Sequence, residues 1–363
     1  MYRGHSIGVV IPAYNEEGFV GDVIDTLPEY VDRAYVIDDC STDGTWDEIR
    51  AHAERANQRA RQHGPLAVDA DLKPVPVDDD APAQFIEADG GVAESGLLYD
   101  PRIVPIQHEE NRGVGGGIKT GYTRALRDDL DITAVMGGDG QMDPDILHTF
   151  LDPIVDDEAD YAKGNRLLYK EYRRGMSKWR FFGNSILTFL TKVASGYWKT
   201  MDPQNGYTAI SKYALENVGI ESMYEYYGYC NDLLVKLNAK GMRVADVAMP
   251  AVYGDEASSI RYSTYIRKVS GMLLRNFFWR LKVKYLVLDF HPLALFYLFG
   301  ILTTLFGMSA VGWSVYGKII GNNPLFVRAA LSLMIFTIGS LFLMFAMLFD
   351  MQVNEDREVQ IRD

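Results

Sequence analysis

Cysteine is nearly missing. Cys40 and Cys230 are the two in 363 residues, too few and too far apart for a disulfide scaffold, so both read as reduced core residues in a chain stabilised by apolar burial. Positive charge is also short: 36 Lys and Arg face 49 Asp and Glu, a net charge of −13. That balance excludes a general nucleic-acid binder, because a phosphate backbone would be repelled unless a strong basic patch offset it. No apolar leader is visible, since residues 1–5 run straight into a strand-like segment, and the expectation is a soluble part that starts and stays in the cytoplasm. Long apolar runs are absent until residue 293, after which there are two. This uneven distribution divides the chain into one soluble domain and a membrane-linked tail.

Residues 7–11 form a short apolar run of the kind that makes a buried parallel strand, followed by Pro12-Ala-Tyr-Asn-Glu-Glu. A second strand over 34–37 ends in Asp38-Asp39-Cys40-Ser41-Thr42-Asp43-Gly44-Thr45. Strands with acidic loops at their carboxyl ends, each followed by a helix, predict a doubly wound α/β sheet with its ligand crevice on that edge. Residues 63–100 hold nine acidic side chains against Lys73 alone, the composition of a solvated insertion. After a third strand over 102–106 comes Asn111-Arg-Gly-Val-Gly115-Gly-Gly-Ile-Lys, whose glycines allow close backbone approach to a phosphate or sugar at a helix N-terminus; a plain flexible loop would look the same. The fourth strand breaks at Gly137-Gly138 and exposes Asp139 and Gln141. An acid and an amide so spaced offer oxygen to a hard cation such as Mg²⁺ or Mn²⁺ shared with a ligand's phosphates. An Asx turn capping the helix from Asp143 onward would account for the same residues.

Taken together, Pro12-Ala-Tyr-Asn-Glu, the Asp38-Asp39 loop, Asn111-Arg-Gly-Val-Gly and Gly-Asp139-Gly-Gln141 resemble the family 2 glycosyltransferases of the GT-A fold, and within them the polyprenyl-phosphate branch. The resemblance covers roughly residues 7–260, the insertion excepted. It implies a UDP- or GDP-linked hexose donor, with Pro12, Tyr14 and Glu16 lining the base and ribose pocket. Asp39, with Asp38, would hydrogen-bond the base, Gly115 would lie in the donor loop, and Asp139 and Gln141 would hold the metal. Gly137 departs from an acidic family position, leaving two protein ligands. Arg166 would face an acceptor phosphate, with Lys178, Arg180 and Arg261 as further cations; Arg261 substitutes for a family arginine otherwise missing near 253–260. Asp202 is a candidate base or acceptor-orienting group, and Asp232 would lie opposite the donor. The implied reaction is metal-assisted inverting transfer to a membrane polyprenyl (dolichyl) phosphate. No nucleic-acid partner is expected, and a homo-oligomer is allowed.

Residues 176–199 and 265–290 alternate aromatics and leucines with Lys and Arg, as interfacial helices do. The apolar runs 293–316 and 329–349 each exceed the roughly 20 residues that span a bilayer. A short link makes them a hairpin, and Arg275, Arg280, Lys282 and Lys284 place its open end, and the catalytic domain, in the cytoplasm. The expected organisation is therefore a GT-A domain over 1–262, juxtamembrane helices over 263–292, a two-helix transmembrane hairpin over 293–351 and a cytoplasmic tail over 352–363. A processive polysaccharide synthase is the enzymatic alternative, but its Gln-x-x-Arg-Trp motif is missing and only Trp279-Arg280, reversed, is present. A non-catalytic nucleotide-sugar scaffold is the other.

Overall fold

The computed structural model describes residues 1–63, 101–169, 178–250, 262–321 and 325–361. The acidic insertion beyond His63, and Arg261, lie outside these residues. The strands are β1 (Ile7–Ala13), β2 (Arg33–Asp38), β3 (Ile103–Gln107), β4 (Ile132–Val135), β5 (Tyr161–Asn165), β6 (Thr208–Ser211), β7 (Val244–Ala248) and β8 (Glu358–Ile361). They form one sheet in the order β3-β2-β1-β4-β6-β5-β7-β8. Only β6 runs antiparallel to its neighbours, so the sheet is mixed and keeps the carboxyl ends of the other strands on one edge.

Alternation along β1 shows why helices cover both faces. Ile7, Val9 and Ile11 pack with α1 (Val20–Asp25), α2 (Thr45–His63) and α4 (Leu147–Val155). Val10 faces the other way, toward α3 (Val114–Arg127), α6 (Lys212–Asn217) and α7 (Tyr229–Ala239). Strands buried on both sides must be apolar nearly throughout, as β1 and β4 are. This is the mixed α/β sheet of the GT-A class expected from the sequence resemblance.

A third cluster joins α7 to α5 (Lys178–Ser195) and α8 (Tyr262–Lys282), which pack through Leu187, Val235, Val269 and Leu273. Their outward faces stay apolar, with Ile186, Phe189, Leu274 and Phe278 exposed. A π-helical turn (Val283–Leu288) then leads to α9 (Leu293–Gly321) and α10 (Phe326–Val353), both long and apolar enough to cross a membrane. Their seam repeats every seventh residue: Leu293, Gly300, Gly307 and Ser314 are buried on α9, and Ser332, Gly339 and Ala346 on α10. A Cβ on Gly307 or Gly339 would overlap the backbone nitrogen of Phe336 or Thr304, so only a small-residue stripe permits so close a crossing.

Two attachments hold this hairpin to the sheet. Arg280 on α8 and Asp350 near the end of α10 are fully buried and bonded in bidentate fashion, Nη1 to Oδ1 at 2.9 Å and Nη2 to Oδ2 at 2.8 Å. Burial of Arg280 removes it from the exposed charges that would orient the hairpin, and Lys284 is also partly buried, leaving Arg275 and Lys282 exposed. Beyond α10 the chain returns as β8, parallel to β7 from Val244↔Glu358 to Val247↔Ile361. The segment expected as a tail is the sheet's edge strand there, because its alternating Val359 and Ile361 pack against the core.

Candidate active site

The carboxyl ends of β1 and β2 are laced to each other. Asn15 sits at φ 58°, donates its amide to Ser41 Oγ at 2.9 Å, and accepts from the Thr42 amide at 2.8 Å. Glu16 donates its amide to Thr45 Oγ1 at 2.8 Å. Pro12 lies opposite Ile37, and Tyr14 is exposed beside it. Asp38 and Asp39 are both buried. Asp38 accepts from Gln107 Nε2 at 2.9 Å and from the Ser41 amide at 3.1 Å. Asp39 accepts the Arg112 amide at 2.9 Å, the Gly113 amide at 2.7 Å, and a 2.8 Å contact from His108 Nδ1, whose Nε2 meets Thr120 Oγ1. In this state Asp39 fastens the glycine-rich loop. The close approach permitted by Gly115 is to protein, since a Cβ there would strike the Tyr224 carbonyl.

At the end of β4, the Asp139 carboxylate accepts the Gln141 amide at 3.1 Å, and Asp143 accepts the Asp145 amide at 2.9 Å ahead of a 3-10 turn (Pro144–Ile146). The Asx-capped helix start is therefore present at Asp143, and Asp139 stands before it as a half-buried acid. Burial pushes the Asp139 carboxyl above the usual carboxylate range, only partly offset by the Gln141 amide. Its Oδ1 lies 2.9 Å from where a Cβ at Gly137 would stand, so the carboxylate folds back over that glycine.

Two strands away, roughly 10 Å at ordinary strand spacing, β5 ends at Arg166. Its Nε meets Asp202 Oδ2 at 2.7 Å and its Nη2 meets Oδ1 at 3.0 Å. Asp202 is fully buried at φ 47°. Burial alone would raise its carboxyl, but the Arg166 guanidinium, with Lys163 behind it, outweighs this and holds it below the usual range. The following residues bridge to the Asp139 turn, with Tyr207 Oη donating to the Asp143 carbonyl at 2.9 Å and its ring stacked on Phe150. Asp232 lies beneath this edge on α7, buried, accepting from the Tyr224 amide at 2.9 Å, Asn276 Nδ2 at 2.6 Å and Lys236 Nζ at 2.8 Å. Lys178 and Arg180 fall in the first turn of α5, and their side chains lie outside the described residues.

Residues 8–62 and 75–219, more than half of the chain, match the family described as Glycosyl transferase family 2. The chain belongs to that family. One relative of this glycosyltransferase is a UDP-N-acetylglucosamine–dolichyl-phosphate N-acetylglucosaminyltransferase from Methanococcus voltae, 26% identical over 248 residues, covering 68% of this chain and 86% of the relative. An uncharacterized protein from Methanocaldococcus jannaschii is 24% identical over 254 residues, covering 70% and 84%. Among solved structures, glucosyl-3-phosphoglycerate synthase from Mycobacterium tuberculosis overlaps it at a TM-score of 0.47, with 19% identity over 75% of this chain and 80% of that one.

Tested as a cation site of this glycosyltransferase, the Asp139 turn supplies one partly desolvated carboxylate and one amide oxygen. Among the described residues no group of three or more His, Cys, Asp or Glu is placed to hold an ion, so the turn by itself does not cage one. Several organising residues escaped the sequence reading. Gln107 and His108, just past the apolar part of β3, hold Asp38 and Asp39. Lys163 and Asp246, both buried, pair at 2.8 Å, and Asp246 also accepts the Met201 amide at 2.7 Å beside the Asp202 loop. An aspartate inside the strand Val-Ala-Asp-Val-Ala was the visible signal. Gln204 buries both amide atoms with no hydrogen-bond partner among the described residues.

Proposed function

We propose that this glycosyltransferase moves a hexose from a UDP- or GDP-linked donor to a polyprenyl (dolichyl) phosphate in the membrane, with inversion at the anomeric carbon. The observation that carries the lipid acceptor is the attachment of an apolar hairpin to the catalytic sheet, through Arg280–Asp350 and through β8. A relative matched over 86% of its own length, whose name gives dolichyl phosphate as its acceptor, supports the same reading.

A phosphate monoester, with its second pKa near about 6, is mostly a dianion at neutral pH and needs no strong base. Its oxygen attacks the anomeric carbon while the bond from that carbon to the nucleoside diphosphate breaks, and the electron pair leaves with the diphosphate. Arg166 holds the acceptor phosphate, and Asp202 orients Arg166. With its carboxyl depressed and engaged, Asp202 is a positioning residue rather than a proton acceptor. Asp139 and Gln141 would hold a Mg²⁺ or Mn²⁺ ion, which would supply charge stabilisation to the leaving diphosphate. Pro12, Tyr14 and Glu16 border the nucleoside, and Asp38 and Asp39 shape its floor together with the Gly115 loop. Asp232 supports the loop that backs the glycines. Exposed Arg275 and Lys282 favour a cytoplasmic catalytic domain, on the side where nucleotide sugars are made.

The test is transfer of radiolabel from a panel of UDP- and GDP-sugars to organic-extractable lipid, with purified protein, polyprenyl phosphate and Mg²⁺ or Mn²⁺. Chelator-sensitive label in one lipid product is expected. Donor hydrolysis or binding without lipid product across the panel overturns the acceptor assignment.

A further inference from the structure

At the opposite edge of the sheet, by the amino ends of β7 and β8, lies a cavity of about 240 Å³. Lys240, Lys284, His291 and Arg357 line it against one carboxylate, Asp289. Lys284 is the unusual member. Its ammonium donates to Asn238 Oδ1 at 2.7 Å and Asn354 Oδ1 at 2.6 Å, and it makes no ion pair among the described residues. A lysine has three donors, so one remains. Burial and the neighbouring Arg280 guanidinium push this ammonium down to about 7. A half-buried cation facing neutral amides is an unbalanced charge that an arriving anion would compensate. Lys240 and Arg357 are exposed at the same mouth, and Arg357 reaches the Gly241 carbonyl across it.

The rest of the rim is apolar. Leu288 is 64% and Val353 39% exposed, beside the exposed Leu286 and Val287 of the π-helical turn and directly at the foot of the hairpin. One recessed lysine, two cations at the mouth and apolar side chains along the rim match a headgroup phosphate with acyl chains running along α9 and α10. We propose that this cavity is a binding site for the phosphate of an anionic phospholipid, separate from the acceptor site at the carboxyl end of β5. Asn165, beside Arg166, pairs with Ala248 at the far end of β7 from the cavity, so at about 3.3 Å per residue the strand from Val244 to Ala248 holds the two ends roughly 13 Å apart. The site rests on the reading of α9 and α10 as membrane-spanning, and not on the identity of the transferred sugar.

Full-length protein is reconstituted into nanodiscs of phosphatidylcholine alone or mixed equally with phosphatidylglycerol, then released, and its retained lipids are counted by native mass spectrometry. Selective retention of phosphatidylglycerol is expected, falling about tenfold or more in Lys240→Gln/Arg357→Gln, whose substituted side chains are exposed, and in Lys284→Met. Near-native melting of the double variant separates lipid loss from misfolding. Equal retention of both lipids, or retention unchanged in the folded double variant, overturns the proposal. So does occupancy by inorganic phosphate that displaces no lipid. Sugar transfer is assayed on the same samples, so failure of the catalytic reading and failure of this site give different results.

Discussion

At the scale of single residues, the active edge depends on carboxylates whose environments differ. Asp139 is held above its ordinary range by burial, so protons compete with a cation at higher pH than at an aspartate of about 3.9. Cation affinity measured by Mn²⁺ titration should weaken as pH falls through that raised value, and Asp139→Ala should lower turnover by about 10²-fold or more. Asp202 has the opposite sign. Its folded carboxyl lies below the unfolded value, so its ion pair adds stability above about pH 4 that is lost as pH falls through the folded value. Arg166→Ala leaves a buried carboxylate alone, at a cost of about 3–5 kcal/mol. The double variant Arg166→Ala/Asp202→Asn should regain most of that stability in denaturant melts. Its KM for lipid phosphate should remain raised by about 10- to 100-fold, with the donor KM little changed. The sequence displayed Asp139 because it follows the apolar strand β4 and breaks its pattern, whereas Arg166 and Asp202, the latter on the loop between α5 and β6, were reached through the family resemblance. It could not display the Asp39–His108 contact, which joins residues 69 positions apart through a fold not written locally.

Among elements, the strands and apolar helices were legible because their patterns are strong: β1, β2 and β4 were read to within about two residues, and both long helices run further than their apolar cores. β8 was not, because four residues ending a charged stretch carry too little periodicity to announce a strand. Its side chain Glu358 has a specific task. The carboxylate accepts the amides of Trp198, Lys199 and Thr200, each at 2.7 Å, and so fixes the segment leading into Asp202. Glu358→Ala should cost about 2–4 kcal/mol and raise the acceptor KM, while leaving the donor KM near its starting value. In the hairpin, Gly339→Leu should push α9 and α10 apart at a cost of about 1–3 kcal/mol, read as a lower melting temperature in detergent.

For the whole molecule, the sheet, α5, α8 and the hairpin form a continuous body rather than a soluble enzyme on a leash. The apolar outward faces of α5 and α8 extend the exposed apolar surface beyond the two long helices. In sealed vesicles bearing the enzyme with its catalytic domain outward, protease should cleave the sheet domain and spare the hairpin.

The edge strand β8 also fixes an order of events during synthesis. Residues 358–361 emerge only after both long helices have been made, so the sheet remains one strand short until then. Until β8 docks, the amides of residues 198–200 lack the Glu358 carboxylate, and the segment leading into Asp202, the partner of Arg166, is not yet held. The last four residues of the sheet therefore complete a pairing made two strands away.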